Sequence, residues 1–160
     1  MMQKMEMVMA NSLNSNSGVI KDGIHSFPIR VYYEDTDAGG IVYHSQYLNF
    51  MERGRTEMLR MCGLEHAAMM TTQTSPTMLV VKSMNIDFKR PATLDDELVV
   101  TSEISKLGAV SMMISQCVLK GDDALVTAEV KVGIIGGDKR PKKLDSDTRS
   151  MILNKLNISS

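Results

Sequence analysis

The sequence has few of the residues that organise small secreted or membrane-bound proteins. Its 160 residues include two cysteines, three phenylalanines and no tryptophan. Cys62 and Cys117 lie in no CxxC or Cys/His array, so we expect two reduced, buried thiols in a cytoplasmic protein rather than a disulfide framework. No apolar run approaches the ~20 residues of a membrane span, and the Met-rich N-terminus lacks the continuous apolar segment of a signal peptide.

An excess of basic residues is also missing. Eighteen Lys and Arg stand against 19 Asp and Glu, for a formal net charge of -1. Nucleic acids and membrane surfaces usually select a clear basic excess, so the sequence predicts neither partner. The length suits one domain. Residues 11–18 are rich in Asn and Ser, so residues 1–24 are predicted to be a disordered extension, and residues 25–157 are predicted to form the domain.

The apolar pattern changes period along the chain. Residues 27–33 alternate, with Phe27, Ile29, Val31 and Tyr33 on one face, which predicts a strand. From about His44 the apolar residues recur every three or four positions, which predicts one long amphipathic helix ending near residue 63. Gly54 lies on the apolar face of this helix, where it allows a neighbouring surface to approach closely.

Four further strands are predicted at residues 78–88, 97–106, 110–119 and 124–135, and a short helix near the C-terminus is expected to be capped at Asp145 or Ser146. Long strands without intervening helices favour an antiparallel sheet. The predicted fold is therefore α+β, with a curled antiparallel sheet of about five strands wrapped around the long helix. The remaining surface or edges of such a sheet would pair with another subunit.

Three carboxylates, Glu34, Asp35 and Asp37, precede the long helix. One interpretation is a solvated loop whose charges favour the helix N-terminus. A calcium loop of the EF-hand type fails, because Gly39 and Gln46 stand at its fifth and twelfth positions. A transition-metal site that combined the two aspartates with one histidine is a weak prediction.

Acyl transfer is the fourth interpretation of this turn. A thioester carbonyl needs an attacking group, or a base for water, together with donors for the developing oxyanion. Asp37 can supply the first, and the unpaired amides at the start of the helix can supply the second. The thiolate of coenzyme A is a good leaving group, which lowers the demand for a general acid.

Two sequence blocks carry a family resemblance. The segment RVYYEDTDAGGIVYHSQYLNFMERGRTEML satisfies the pattern D-x-D-x-x-G-x-V-Y/F-x-x-x-Y, and DFKRPATLDDELVVTSEI matches a strand-turn-strand signature. Together with the C-terminal RPKKL, they resemble the 4-hydroxybenzoyl-CoA thioesterase-like hotdog family over roughly residues 25–150. Within that family the chain is most similar to the Tol-Pal system-associated acyl-CoA thioesterases.

The resemblance implies a hotdog fold, acyl-CoA hydrolysis and specific site residues. It selects Asp37 as nucleophile or general base, and it implies an oxyanion donor at the backbone of His44 or nearby. The predicted catalytic residues are Asp37, Tyr43 and His44. The predicted substrate-binding residues are Gly40, Val42, Tyr47, Lys89 and Arg90. For the last two, contact with the phosphates of coenzyme A competes with a plain solvated strand end.

The resemblance also implies partners. No metal or resident cofactor is expected, since coenzyme A arrives with the substrate. Active sites at a dimer interface are implied, so a homodimer or a homotetramer built from two dimers is expected. An acyl carrier protein is a further candidate partner. The alternative is a non-catalytic hotdog scaffold that binds acyl-carrier or envelope-assembly proteins, and the presence of Asp37 with its glycine pair favours catalysis over it.

Some residues depart from the family pattern or stand outside the predicted site. Asp95-Asp96 replaces the usual Gly-Asp, so Asp95 is expected either to change the turn or to adopt the left-handed conformation, which Asp tolerates. His25 and His66 lack any carboxylate or ligand spacing and are predicted to be surface residues or incidental ones.

Overall fold

One antiparallel sheet and two α-helices account for most of the described chain, which comprises residues 16–65, 68–69 and 76–159 of a computed structural model. The strands are β1 (Val19–Lys21), β2 (Ile24–Arg30), β3 (Thr77–Phe88), β4 (Glu97–Leu107), β5 (Ser111–Lys120) and β6 (Asp123–Gly136). The helices are α1 (His44–Met61) and α2 (Ser146–Lys155). The six strands of this part of the chain lie in the order β1-β2-β4-β5-β6-β3. The predicted hotdog arrangement is confirmed.

The core forms where α1 packs on β2, β4 and β5. Alternate residues of the central strands face the helix, and the helix buries residues spaced three or four apart. Gly54 is needed at the contact with β4, because a Cβ at this position would lie 2.8 Å from Cγ1 of Val100. The predicted cap of α2 is also present, since the carboxylate of Asp145 accepts a hydrogen bond from the amide of Thr148 at 2.8 Å.

Strand β3 lies at one edge of the sheet and pairs with β6 over 11 register positions. One face of this strand carries a row of apolar residues that are only partly covered. Val81 is 52% exposed and Phe88 is 44% exposed. The other members of this row are Leu79, Met84 and Ile86. Among the described residues, β3 therefore forms an edge strand with a partly covered apolar row on one face.

The structure corrects several predictions near the N-terminus. The sheet has six described strands instead of about five, because Val19–Lys21 forms a hairpin with β2 inside the region predicted to be disordered. Residues 1–15 lie outside the described residues. Strand β2 ends at Arg30, and Tyr33 opens a 3-10 turn in which its side chain is 82% exposed. The prediction that the strand continues to Tyr33 was therefore wrong.

His25 is a further correction, because it is fully buried. The new hairpin places the carbonyl of Ser17 2.6 Å from its Nε2, and the ring stacks on Phe27 at a centroid distance of 6.3 Å. The prediction of His66 lies outside the described residues. In the described part of the chain, no helix combines the length and the hydropathy that crossing a membrane requires.

Candidate active site

Asp35 connects the two ends of the loop between β2 and α1. The Oδ2 atom of this carboxylate accepts a hydrogen bond from the amide of Tyr32 at 2.8 Å. Its backbone carbonyl accepts one from the amide of Tyr43 at 2.9 Å. Asp35 is 4% exposed, so it joins the entry and the exit of the loop from inside. The first aspartate of the motif is thus a structural residue.

Asp37 stands at the exposed tip of the same loop. A tight turn holds it: its amide donates to Ile41 O at 2.9 Å, and the amide of Gly39 donates to its Oδ1 at 2.7 Å. Gly40 completes the turn with φ 78°, a conformation that residues with a side chain rarely adopt. Within residues 16–65, 68–69 and 76–159, no donor binds the second carboxylate oxygen of Asp37. The turn therefore fixes the orientation of this carboxylate through one of its two oxygens.

The N-terminus of α1 supplies amides beside this carboxylate. Tyr43 is the N-cap; its own amide is taken by Asp35, and its carbonyl accepts from the amide of Gln46 at 2.9 Å. Among the described residues, none accepts from the amides of His44 and Ser45. These two N–H groups lie where the sequence predicts an oxyanion donor, whereas the amide of Tyr43 already donates to the carbonyl of Asp35.

Aromatic rings form one side of the site. The ring centroids of Tyr43 and His44 are 4.5 Å apart, and those of His44 and Phe88 are 6.1 Å apart. Tyr47 lies 5.9 Å from Phe88. Phe88 is the last residue of β3, so the free edge of the sheet reaches the start of the helix.

These groups line a cleft of about 330 Å³. The residues that line it are Asp37, Ile41, Val42, Tyr43, His44, Tyr47, Phe88, Lys89, Arg90 and Pro91. All the predicted site residues except Gly40 lie in this cleft, and Gly40 shapes the turn that carries Asp37. The sequence interpretation missed Phe88, Ile41 and Pro91. Phe88 directly precedes the predicted Lys89–Arg90 pair, but nothing local indicated that its strand would end beside α1.

The cationic side of the cleft is fixed through the backbone. The amides of Lys89 and Arg90 both donate to Leu125 O, at 2.8 and 3.1 Å. The hydroxyl of Tyr47 accepts from the amide of Ala92 at 2.9 Å. Burial raises the pKa of Tyr47, so this hydroxyl stays neutral. Tyr47 therefore presents its ring to the cleft, while its polar end holds the backbone of the cationic loop.

The turn that follows contains the departure from the family pattern. Asp95 adopts the left-handed conformation with φ 68°, which is one of the two predicted solutions. Asp96 accepts hydrogen bonds from the amide of Thr93 at 2.9 Å and from Nζ of Lys120 at 2.8 Å. Partial burial opposes ionisation of Asp96, but the hydrogen bonds from Lys120 and Thr93 hold its pKa below the ordinary value.

The chain is similar in sequence and in fold to several known proteins. The family model described as Thioesterase superfamily matches residues 39–127. Acyl-CoA thioesterase YbgC of Haemophilus influenzae is 38% identical over 130 residues, which cover 81% of this chain and 94% of that protein. Acyl-CoA thioester hydrolase YbgC of Escherichia coli O157:H7 is 42% identical over 107 residues, covering 66% of this chain and 78% of that protein. A crystal structure of a probable thioesterase from Bartonella henselae superposes with a TM-score of 0.73 at 38% identity, covering 76% of this chain and 99% of that one.

Proposed function

The chain belongs to the thioesterase superfamily, and from that premise we propose that it hydrolyses acyl-coenzyme A thioesters to a free acid and coenzyme A. One observation carries the proposal. The exposed carboxylate of Asp37 and His44, the first residue of α1, line the same cleft, and within the described part of the chain the amides of His44 and Ser45 have no acceptor. That pairing provides an attacking or activating group together with donors for a developing oxyanion.

The chemistry follows from these groups. With the thioester carbonyl oxygen directed at the N–H groups of His44 and Ser45, negative charge that develops on this oxygen is stabilised. Asp37 either attacks the carbonyl carbon or removes a proton from a water that attacks it. In both routes the carbon–sulfur bond breaks and coenzyme A leaves as the thiolate. Direct attack leaves an anhydride on Asp37, which water then hydrolyses to regenerate the carboxylate.

The two routes differ in where isotopic oxygen appears. If Asp37 is the nucleophile, a single turnover in ¹⁸O-water leaves label in the carboxylate of Asp37 when water attacks its side of the anhydride. If Asp37 is the base, all of the label enters the released acid. Mass spectrometry of the peptide that contains Asp37 separates the two.

The aromatic side of the cleft suits the acyl group. In this proposal the rings of Tyr43, His44 and Phe88 form its apolar wall, and His44 contributes to chemistry through its backbone amide. Lys89 and Arg90 lie at the other side, where their charges suit the phosphates of coenzyme A. No resident cofactor takes part.

The edge of β3 supports a homo-oligomer. This strand is 12 residues long and unpaired on one side within the described chain, and its apolar row is half-covered. Such an edge favours pairing with a second copy, which would also bury the row near Phe88. We propose a dimer, or two dimers in a tetramer. Light scattering tests this, and Val81→Lys is expected to shift the protein towards monomers while Lys82→Ala does not.

Free-thiol release from short, long and aromatic acyl-CoAs tests the activity. Asp37→Asn is expected to lose at least ~100-fold in kcat, which is the usual contribution of a positioned carboxylate. Glu34→Gln is the matched control, since Glu34 is an exposed acid of the same loop without a hydrogen-bonding partner among the described residues. Equal rates for wild type and Asp37→Asn would overturn the mechanism. No turnover of any thioester would overturn the activity and favour a scaffold.

A further inference from the structure

Arg90 is already paired with an acid that stands outside the cleft. Its Nη1 lies 3.2 Å from Oδ1 of Asp123, and the two side chains are 64% and 67% exposed. Asp123 begins β6 and does not line the cleft that Arg90 lines. Lys89 differs, because its ammonium group has no acceptor within the described part of the chain.

The backbone geometry lets Arg90 change partner without moving the loop. The amides of Lys89 and Arg90 are both fixed on Leu125 O, so the base of each side chain is anchored over the start of β6. The Arg90 guanidinium can therefore leave Asp123 and turn into the cleft by rotation of its side chain alone. An exposed ion pair is weak and screened by salt, so it is readily exchanged.

We infer that Asp123 is a competing counterion, which holds the Arg90 guanidinium until a phosphate of the bound thioester displaces it, and thereby sets the affinity for phosphate-bearing substrates. The inference rests on the proposed function, because it concerns the coenzyme A end of that substrate. A phosphate offers a guanidinium two acceptor oxygens and a larger charge than a carboxylate, so the exchange is favourable. Part of that attraction is lost in releasing Asp123.

Kinetics of Asp123→Asn test this positioning role. The variant is expected to lower KM for an acyl-CoA by roughly twofold to fivefold, the range set by one exposed ion pair, with kcat unchanged. Asp122→Asn is the matched control, since it removes an equal charge from the adjacent residue, which forms no ion pair or side-chain hydrogen bond among the described residues. The same acyl group on pantetheine, which lacks the phosphates, should show no difference between Asp123→Asn and wild type.

Coupling to Arg90 and direct binding complete the test. In an Arg90→Gln background, Asp123→Asn should change nothing, and the difference in KM should shrink as salt rises. Calorimetric titration with coenzyme A itself reads the same exchange without turnover. A tighter Kd for Asp123→Asn supports the inference even if hydrolysis fails. An unchanged Kd, an equal effect of Asp122→Asn, or an effect that survives in Arg90→Gln overturns it.

Discussion

The hydroxyl of Tyr47 accepts a hydrogen bond from the amide of Ala92 at 2.9 Å, and this bond joins α1 to the loop that carries Lys89 and Arg90. The carbonyl of Ala92 in turn accepts from the amide of Val42 at 2.9 Å. Ala92 is fully buried, so both of its backbone polar groups are satisfied by the segment that builds the other side of the cleft. The cationic loop and the helix start therefore form one unit.

Tyr47→Phe should loosen that unit. The substitution leaves the Ala92 amide buried without an acceptor, which costs about 1–3 kcal/mol of unfolding free energy. We expect KM for acyl-CoA to rise more than kcat falls, because Lys89 and Arg90 lose their fixed backbone. Urea denaturation and steady-state kinetics measure the two effects. Tyr33→Phe, at an 82% exposed tyrosine, is the control and should change neither stability nor kinetics. If Tyr47→Phe also changed neither, Tyr47 would not be what holds the cationic loop.

Asp35 and Asp37 should respond to alanine in opposite ways. Asp35 is 4% exposed and closes the loop, so Asp35→Ala is expected to cost about 1–3 kcal/mol of stability and to reduce activity through the disturbed loop. Asp37→Ala should abolish thiol release while changing stability by less than ~0.5 kcal/mol, as for other surface substitutions. Thermal unfolding and thiol release are measured on both variants. Equal destabilisation by Asp35→Ala and Asp37→Ala would contradict a structural role for Asp35 alone.

The different positions of Asp35 and Asp37 show which features could be predicted from the sequence alone. The alternation of the strands and the periodicity of the helix are local, so the order of the elements after β1, the end of α1 near residue 63 and the cap at Asp145 were predictable. The spacing of Asp35 and Asp37 could not tell the buried acid from the exposed one, since burial depends on where the loop closes. Only the family resemblance indicated Asp37, and not Asp35, as the predicted catalytic residue. Phe88 joined the cleft only because β3 pairs with β6 at the sheet edge, which is a non-local event.

Asp95 offers a test of backbone conformation. Its φ of 68° costs a residue with a Cβ more than it costs glycine, although Asp tolerates it better than most. Asp95→Gly should therefore leave the unfolding free energy unchanged or raise it by up to about 1 kcal/mol. Asp95→Val should lower it by more than ~1 kcal/mol, because β-branched residues are poorly suited to this region. Chemical denaturation at a fixed protein concentration measures both, and a stable Asp95→Val would refute the argument.

His25 should make stability depend on pH. Burial lowers its pKa from the ordinary 6.5, while the hydrogen bond to Ser17 and the nearby Glu57 act in the opposite direction. With Nε2 donating to Ser17 O, the buried Nδ1 has no partner among the described residues, so protonation is disfavoured in the folded state. The unfolded chain then binds the proton more readily. The His25 contribution is thus fully present above pH 6.5 and is lost as the pH falls towards and below the lowered pKa.

The measurement is the midpoint of thermal unfolding between pH 8 and pH 5. His25→Gln can still donate to Ser17 O but does not titrate, so its decline at low pH should be smaller than that of the wild type. His44→Gln, at an exposed histidine, is the control and should retain the wild-type slope. Parallel curves for wild type and His25→Gln would show that His25 is not the titrating group.

Arg55, Gln116 and Ser102 form a buried polar cluster under α1, and their contributions to stability should be coupled. Arg55 is 8% exposed and donates to Oε1 of Gln116 at 2.8 Å, while Nε2 of Gln116 donates to Met51 O at 2.9 Å and to Oγ of Ser102 at 2.7 Å. In the described chain Arg55 forms no ion pair, and burial lowers its pKa. The guanidinium therefore depends on a neutral acceptor instead of a carboxylate.

A double-mutant cycle on Arg55 and Gln116 measures that dependence. Gln116→Leu leaves a buried cation without its acceptor, and Arg55→Met leaves the acceptor without its donor, so each should cost about 1.5–3 kcal/mol. The double variant removes both partners and should cost less than the sum, with a coupling of roughly 0.5–3 kcal/mol. Thr56 and Glu52 form a hydrogen bond of the same 2.8 Å length on the exposed face of α1 and provide the control cycle. Because water satisfies both groups there, its coupling should stay below ~0.5 kcal/mol. Additive losses at Arg55 and Gln116 would mean that each residue is held by other contacts, and that the cluster does not bind α1 to β5 as a unit.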